Sequence, residues 1–452
     1  MKLPVQPAPF DELLARQRGK LNAVFSAAVG PEVRGEYAPW DKVRHLDPPA
    51  GLDHEAWWLG IKLARRSIAR PLPLRDKQGR NATLAVTDAM QRRLHFIDRE
   101  AAGSIHGLDR SEGPRSGDRY LVRSLIEEAM TSAQLEGAST TREVAKELLR
   151  SGRAPRDVSE RMIFNNYAVM QQLRDWQREP LTPTGVFEIH RRLTADTLQD
   201  PEASGRFRRA GERVVVMDNR DGTVLHDPPP ASELPARLEA LCAFANENDG
   251  DTFLHPALRA IALHFQLAYD HPFVDGNGRT ARALFYWSML RSGYWLTEYL
   301  SISSVLRAAP SQYARAFLLT ETDESDLGYF VCHQLEVLEK AVDGLRGYLA
   351  RKSTERSQAE ALLKPGTRLA ARLNHRQRAL LLDAIRQPHK LYTIAGHQGT
   401  HAVTYATARS DLLDLAAAKL LKKRMDGKAF VFQPAANLAS RLDVSPPRRT
   451  RS

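Results

Sequence analysis

The stretch from His271 to Arg282 constrains this chain more than any other segment, since it reads His-Pro-Phe-Val-Asp-Gly-Asn-Gly-Arg-Thr-Ala-Arg. The imidazole of His271 can exchange a proton near neutral pH. The carboxylate of Asp275 suits Mg²⁺, which usually comes with phosphates. Two glycines let the backbone turn sharply, so that successive N–H groups can face one anion. A helix is predicted from Arg279 to Trp287, and phosphate binds well at a helix N-terminus.

The two arginines of this stretch strengthen the phosphate interpretation. Arg279 and Arg282 are three residues apart and so share a helix face, but they lie in the first turn, where the helix dipole disfavours cations. Their position makes sense if an anion lies between them and the loop, because guanidinium binds phosphate oxygens through a planar fork. The alternative is a plain turn before a helix, with His271 as a cap. The complete stretch favours a phosphate-transfer site.

The same residues resemble the signature of the Fic (Fido) family, His-x-Phe-x-(Asp/Glu)-Gly-Asn-Gly-Arg-x-x-Arg, with every specified position filled. The resemblance implies a mainly α protein with a Fic-type helical core. It implies a nucleotidyltransferase that moves AMP from ATP to a Ser, Thr or Tyr hydroxyl of a target protein. ATP would be the substrate and Mg²⁺ the cofactor.

The resemblance also assigns a role to each residue of the motif. His271 would be the general base on the attacking hydroxyl, and Asp275 the Mg²⁺ ligand. Phe273 would anchor the loop in the core, and Arg282 would hold the γ-phosphate. The nucleotide-binding set is then Phe273, Gly276, Asn277, Gly278, Arg279 and Arg282.

A second motif lies upstream, where residues 119–137 are predicted to form a helix that ends at Gly137. Ser132 and Glu136 are four residues apart and share a face. A solvated carboxylate at a helix end is the ordinary interpretation of Glu136. The segment also resembles the inhibitory helix of the Fic family, (Ser/Thr)-x-x-x-Glu-(Gly/Asn). That resemblance implies that Glu136 pairs with Arg282 and blocks the place of the γ-phosphate.

Residues 212–226 are predicted to form a β-hairpin, because β-branched residues flank an Asp-Gly turn. Residues 227–230 then break the strand before a helix that starts near Ser232. The resemblance implies the Fic flap, which docks a target segment by strand addition. A plain connector is the alternative. The docking residues would be Val214, Val215, Val216 and Val224.

The C-terminal quarter carries the chain's positive charge. From residue 351 to 452 there are 20 Lys and Arg against 7 Asp and Glu, although the whole chain has a net charge of +11. Such an asymmetry suggests nucleic acid as a partner. Helices near 373–385 and 403–421, separated by a turn at 396–400 and followed by a β-wing at 422–432, resemble a winged helix-turn-helix over 368–435. A protein-interaction or dimerisation module is the alternative. The candidate DNA contacts are Tyr405, Arg409, Lys422 and Lys423, and residues 436–452 would be a basic tail.

Residues 1–115 are predicted to be a helical extension, with helices near 10–29 and 54–69 and a connector at 71–83, and residues 116–350 the Fic core. No run is apolar enough to span a bilayer. The two cysteines fit free thiols in a reducing cytoplasm, so we expect a cytoplasmic protein. His264 is more simply a packed residue than a zinc ligand. Only Tyr313 stands where the family commonly has two tyrosines, so the nucleotide base stays open.

Three functions remain open at this point. The chain could adenylylate proteins under the control of Glu136, remove AMP from modified proteins with Glu136 orienting a water, or bind DNA and use the pocket to sense nucleotide. The intact His271 and Asp275 favour chemistry over sensing. The target protein (the chain itself included), the DNA site and the oligomeric state (a homodimer included) are not fixed by the sequence.

Overall fold

The computed structural model describes residues 3–102, 114–218, 220–247, 253–388, 390–426, 429–436 and 438–443. The chain divides into two compact units, one within Met1–Ile105 and Gly117–Asp343, the other within His106–Ser116 and Gly344–Ser452. Helices dominate both units, which confirms the prediction of a mainly α protein. Among the described helices, none has both the length and the apolar character that crossing a membrane requires.

The first unit begins with short helices that pack around one apolar core. Trp58 is almost fully buried there, and the Trp40 ring lies 5.8 Å from it. The predicted helix at 54–69 is present, and Asp53 caps it by accepting from the Ala56 N–H. The helices are α1 (Phe10–Arg16), α2 (Leu21–Ser26), α3 (Trp40–Val43), α4 (His54–Ile68) and α5 (Asp88–Ile97).

The connector predicted at 71–83 is wrong, because this segment forms an antiparallel β-hairpin. Strands β1 (Ala69–Arg75) and β2 (Asn81–Ala85) pair with an irregular register between Pro71 and Arg75. The pair has only two strands, and proline is tolerated on such edge strands. Asp76 stabilises the turn by accepting from the Gln78 and Arg80 N–H groups.

Two further helices of this unit are buried along most of their length, α11 (Pro256–Asp270) and α12 (Asn277–Arg291). The loop between these two helices carries the phosphate motif. The others are α6 (Pro114–Leu135), α7 (Arg142–Ser151), α8 (Val158–Trp176), α9 (Pro183–Thr194), α10 (Leu234–Asn246), α13 (Ile302–Ala308), α14 (Pro310–Thr322) and α15 (Gly328–Leu362). Helix α10 starts two residues after Ser232, behind a 3₁₀ turn.

The pairing within the predicted 212–226 hairpin is shorter than expected. Strands β3 (Val216–Met217) and β4 (Val224–His226) are antiparallel with a register shift. Val214 and Val215 precede the paired residues. The turn that follows is closed by Asp218, whose backbone carbonyl accepts from the Gly222 N–H at 2.8 Å. A two-residue strand leaves little edge of its own, and the docking of a target here stays a prediction.

The second unit contains helices and a three-stranded antiparallel sheet with the strand order β5-β7-β6. Its core includes Leu381, Leu412 and Phe432, all buried. Ala359 of α15 also belongs to this core, since the second unit includes the residues of α15 from Gly344 onward. The elements are α16 (His375–Arg386), β5 (Tyr392–Thr393), α17 (Ile394–His401), α18 (Tyr405–Ala417), β6 (Leu421–Asp426), β7 (Ala429–Pro434) and α19 (Leu438–Asp443).

Two predictions about this unit are wrong. The turn predicted at 396–400 is part of helix α17, because the Thr393 side chain caps the helix at the Gly396 N–H and outweighs the low helix propensity of glycine. The tail predicted from 436 includes helix α19, whose Leu438 and Leu442 join the core. Residues 444–452 of that tail, and Gly427 at the tip of the predicted wing, lie outside the described residues.

Candidate active site

The loop between α11 and α12 is held by two residues in left-handed backbone conformations. His271 ends α11 with φ +46°, and Gly276 precedes α12 with φ +83°. A Cβ on Gly276 would lie 2.7 Å from Cγ2 of Thr194, so position 276 requires glycine for both space and conformation. A non-glycine residue at positive φ is strained and persists only where its surroundings hold it. The sequence pattern predicted the turn, and the structure shows that His271 itself bears the strain.

Asn277 closes the loop from within. Its side-chain oxygen accepts from the Phe273 N–H at 2.9 Å, and its amide donates to the Phe273 carbonyl at 2.8 Å. The hydroxyl of Thr280 donates to the Gly276 carbonyl. The Asn277 side chain is therefore used to fix the loop. The first N–H groups of α12 have no carbonyl within the helix to bond, which leaves the backbone of Asn277 and Gly278 suited to an anion.

His190 on α9 contacts the loop through Phe273 and Asp275, and this residue was not predicted from the sequence. Its ring stacks on Phe273 with 3.7 Å between centroids and 12° between planes. Its Nδ1 accepts from the Gly205 N–H, and its Nε2 donates to the Asp275 carbonyl at 2.9 Å. Burial lowers the pKa of His190 to about 4, so the ring is neutral and keeps this arrangement of one donor and one acceptor. The only signal in the sequence was a His-x-x-x-Thr pair on one helix face.

His271 is held in the protonation state that a general base requires. Its Nδ1 lies 3.1 Å from the Ala268 carbonyl, which can only accept, so Nδ1 carries the proton. Burial is the main cause that lowers the pKa of His271 to about 4. At neutral pH the ring is thus uncharged, and Nε2 is the nitrogen with a lone pair.

The Arg279 side chain is fully buried beneath the loop. Its guanidinium donates to the Leu193 carbonyl and to Oδ2 of Asp275, both at 3.1 Å. Oδ1 of Asp275 accepts from the Gly276 N–H at 2.6 Å. Arg279 therefore orients the Asp275 carboxylate, which is 53% exposed.

Arg282 lies against the residues that the upstream motif singled out. Its Nε donates to Oγ of Ser132 at 2.9 Å, and its Nη2 donates to Oε1 of Glu136, also at 2.9 Å. Arg282 is 2% exposed and Glu136 is 24% exposed. A Cβ on Gly278 would lie 2.2 Å from Oε1 of Glu136, so this carboxylate sits directly over the first turn of α12. Gly137 follows with φ +93° and ends the segment.

Two further buried residues around Arg282 were not found from the sequence. Glu128, one helical turn before Ser132, accepts from the Ser303 backbone N–H and from the Ser301 hydroxyl, each at 3.0 Å. Burial raises the pKa of Glu128. Asn166 on α8 donates to the Ala129 carbonyl at 3.1 Å. These contacts anchor α6 beside Arg282, and they are invisible in the sequence because their partners are far apart in the chain.

The donor groups near the loop suit a magnesium ion that arrives with phosphates. Across the described residues, no three His, Cys, Asp or Glu side chains converge as a complete metal site. A Mg²⁺–nucleotide site needs only one or two carboxylates, because phosphates and water supply the other oxygens. The half-exposed Asp275 carboxylate, already oriented by Arg279, fits that need.

The other candidates lie apart from the loop. Nε2 of His264 lies 2.7 Å from the Tyr313 hydroxyl, and His264 is fully buried, which confirms that it is a packed, hydrogen-bonded residue. Cys242 and Cys332 are free thiols, as expected. Within the second unit, the predicted DNA contacts are exposed side chains, Tyr405, Arg409, Lys422 and Lys423.

This loop, its supporting helix α9 and the strands β3 and β4 fall within one stretch that comparison with known families recognises. Residues 180–289 match the Fic/DOC family. The Fic/DOC match begins at residue 180, so Ser132 and Glu136 lie outside it. The site seen in the geometry and the family match therefore support each other for the loop, and the contact of Glu136 rests on the geometry.

Curated relatives support the same family. The chain is 35% identical over 118 residues to a protein adenylyltransferase Fic of Drosophila sechellia, which covers 26% of this chain and 22% of the relative. It is 35% identical over 116 residues to a protein adenylyltransferase Fic of Nematostella vectensis, covering 26% and 24%. The matches thus span about a quarter of the relatives' length.

A solved structure shows the fold more broadly. A Fic family protein from Desulfovibrio desulfuricans G20 superimposes with a TM-score of 0.50 at 18% identity, covering 77% of this chain and 97% of that one. At this identity the likeness concerns the fold.

Proposed function

We propose that the chain is a protein adenylyltransferase. One observation carries the proposal: an uncharged His271 in a left-handed backbone conformation lies in the loop that leads into α12, and two buried arginines lie in the first turns of that helix. The oxygen of a target hydroxyl attacks the α-phosphorus of ATP, and its proton passes to Nε2 of His271. The bond between the α-phosphorus and the β-phosphate oxygen breaks, giving AMP-protein and pyrophosphate. The relatives named adenylyltransferase support this reaction.

Each residue of the loop contributes a defined part. The N–H groups of Asn277 and Gly278 bind phosphate oxygens at the N-terminus of α12. Asp275 would hold Mg²⁺, which when bound neutralises phosphate charge and favours departure of pyrophosphate. Arg279 keeps that carboxylate in place, and Arg282 holds the γ-phosphate through its guanidinium fork.

Glu136 inhibits this reaction in the resting protein. Its carboxylate accepts a hydrogen bond from Nη2 of Arg282 and fills the space above Gly278. A nucleotide whose γ-phosphate binds Arg282 must first displace it. The resting chain therefore takes ATP weakly, or takes it in an unreactive orientation. The same carboxylate can orient a water, so removal of AMP from a modified target is the second candidate reaction.

The proposal is tested by the intact mass of the purified protein and of added lysate proteins after incubation with Mg²⁺ and ATP. Glu136→Gly should add about 329 Da, the mass of one AMP less water, to a target or to the chain itself, since one phosphodiester bond forms. Glu136→Gly combined with His271→Ala should add none. Transfer at the same rate in the combined variant would remove His271 from the mechanism.

The target segment binds beside strands β3 and β4. Met217 and Val224, which pair with each other, expose 52% and 48% of their surface. An extended peptide can add to the edge of such a pair through main-chain hydrogen bonds. Val214, Val215 and Val216 would line the approach of that peptide.

The second unit binds duplex DNA as a winged helix. Helices α16, α17 and α18, followed by β6 and β7, have the element order of that module. Tyr405 and Arg409 are one turn apart on α18 and exposed, and Lys422 and Lys423 are exposed on β6. Residues 351–452 contain 20 Lys and Arg against 7 Asp and Glu, and this positive charge supports an anionic partner.

A further inference from the structure

Arg208 lies in the segment between α9 and β3 and is buried, with 8% of its surface exposed. Its backbone N–H donates to the Pro272 carbonyl at 2.9 Å. Its Nε donates to the His271 carbonyl at 2.8 Å, and its Nη2 donates to the Pro229 carbonyl. One residue therefore holds both carbonyls of the His271–Pro272 pair.

These contacts fall on the most strained point of the loop. His271 has φ +46°, and its N–H still donates to the Leu267 carbonyl as the last bond of α11. A left-handed residue with a side chain costs about 1–3 kcal/mol and needs support from its surroundings. Arg208 supplies that support on the carbonyl side. Without the Arg208 side chain, the His271 carbonyl loses its Nε donor, and the imidazole can shift away from the place of the phosphates.

The guanidinium also brings a permanent positive charge close to the imidazole. Beside burial, the titratable and charged side chains that act on the pKa of His271 are His226, which lowers it, Glu136, which raises it, and Arg208, which lowers it. Removing the charge of Arg208 should therefore raise the pKa of His271. Replacing Arg208 with another cation should not.

We propose that Arg208 is a positioning residue for His271, fixing its left-handed backbone through the carbonyls of residues 271 and 272. The role depends on the proposed function, in which His271 is the general base. Arg208 contacts neither nucleotide nor target in this scheme, so its effect should appear in kcat and leave KM for ATP unchanged.

The test compares Arg208→Lys and Arg208→Gln in the Glu136→Gly background. Arg206→Gln is the matched control, because Arg206 also donates to carbonyls, those of Glu202 and Phe207, without touching His271. Misplacing a reacting group by about 1 Å costs roughly 10²-fold in rate. Both Arg208 variants should lose about that factor in kcat, whereas Arg206→Gln should keep the parent kcat.

A second measurement does not require activity. The titration of the His271 ring is followed by NMR in histidine-labelled full-length protein, with His271→Ala to assign the signal. Its pKa should rise in Arg208→Gln and stay unchanged in Arg208→Lys. If the substitutions only destabilised the fold, both variants would have a lower melting temperature, and the pKa of His271 would not differ between them.

The outcomes distinguish the two proposals. If Glu136→Gly transfers no AMP, the proposed function fails, and the NMR titration alone decides whether Arg208 acts on the ring. An unchanged His271 titration in Arg208→Gln overturns the role assigned to Arg208. So does a kcat equal to that of the Arg206→Gln control.

Discussion

Removing the Glu136 carboxylate should release AMP transfer, and the structure allows an estimate of how much. Arg282 is 2% exposed and its partner 24%, so the ion pair is shielded from water on the arginine side. Two charges about 4 Å apart at an effective dielectric constant of about 20 attract by roughly 4 kcal/mol. Part of this is recovered when the displaced carboxylate regains water. A net coupling of about 1–3 kcal/mol corresponds to roughly 5- to 150-fold in ligand affinity.

We therefore expect kcat/KM for ATP to rise roughly 10- to 100-fold in Glu136→Gln, which keeps the size and removes the charge. Glu136→Gly should rise further, because it also clears the space above Gly278. Its cost in helix propensity is only about 1 kcal/mol, because Glu136 lies just beyond Leu135, the last residue of α6. Adding Arg282→Ala to Glu136→Gly should remove the gain, since the γ-phosphate loses its partner.

The assay is the initial rate of radiolabel transfer from [α-³²P]ATP to protein over a range of ATP concentrations. Glu127→Gln is the matched control, because Glu127 lies on α6, the helix that ends one residue before Glu136, is equally exposed at 24% and pairs with its own arginine, Arg142. This control should leave kcat/KM unchanged. The reasoning fails if folded Glu136→Gln and Glu136→Gly transfer AMP no faster than Glu127→Gln.

Three further predictions follow from the same geometry. Because the pKa of His271 is lowered to about 4 and the base works when uncharged, kcat at saturating ATP should stay level from pH 7.5 to 5.5; a decline centred near the ordinary histidine pKa of about 6.5 would contradict this. Removal of AMP from a modified target, if wild type shows it, should be lost in Glu136→Gly as the water-orienting carboxylate disappears. DNA affinity measured by fluorescence anisotropy should fall steeply with salt, and replacing Lys422 and Lys423 by alanine should reduce the slope of log K against log salt by about two while sparing AMP transfer; an unchanged slope would exclude the wing as a phosphate contact.

The sequence predicted the parts of the site whose residues lie close together in the chain. Residues 271–276 form the turn between α11 and α12, and residues 277–282 begin α12, so the whole motif is one continuous stretch of the residue types that phosphate chemistry needs. The helix before Glu136 was predicted by its own end signal at Gly137. In both cases the information is local.

What the sequence could not show depends on contacts between distant segments. His190 and Arg208 reach the loop from 85 and 63 residues away, to the carbonyls of Asp275 and His271. No spacing rule links such positions. The hairpin at 69–85 was missed because prolines usually interrupt strands, yet a two-stranded edge tolerates them. Helix α17 was missed because its glycines suggested a turn, while the capping by Thr393 decided the outcome.

In the proposed function, inhibition and catalysis share one place, and the balance of charge at the N-terminus of α12 gives the physical reason. Arg279 and Arg282 are buried in the first turns of the helix, where the dipole opposes them, so each needs a negative partner. Asp275 partners Arg279 within the loop itself and cannot leave without disturbing it. Glu136 partners Arg282 from just beyond the end of α6, outside the loop, and can leave at lower cost. In the proposed function, a nucleoside triphosphate brings the negative charge that replaces it. The proposed inhibition by Glu136 is then an exchange of one anion for another at the same guanidinium, so we expect its strength to follow the charge of residue 136 more than the stability of the fold.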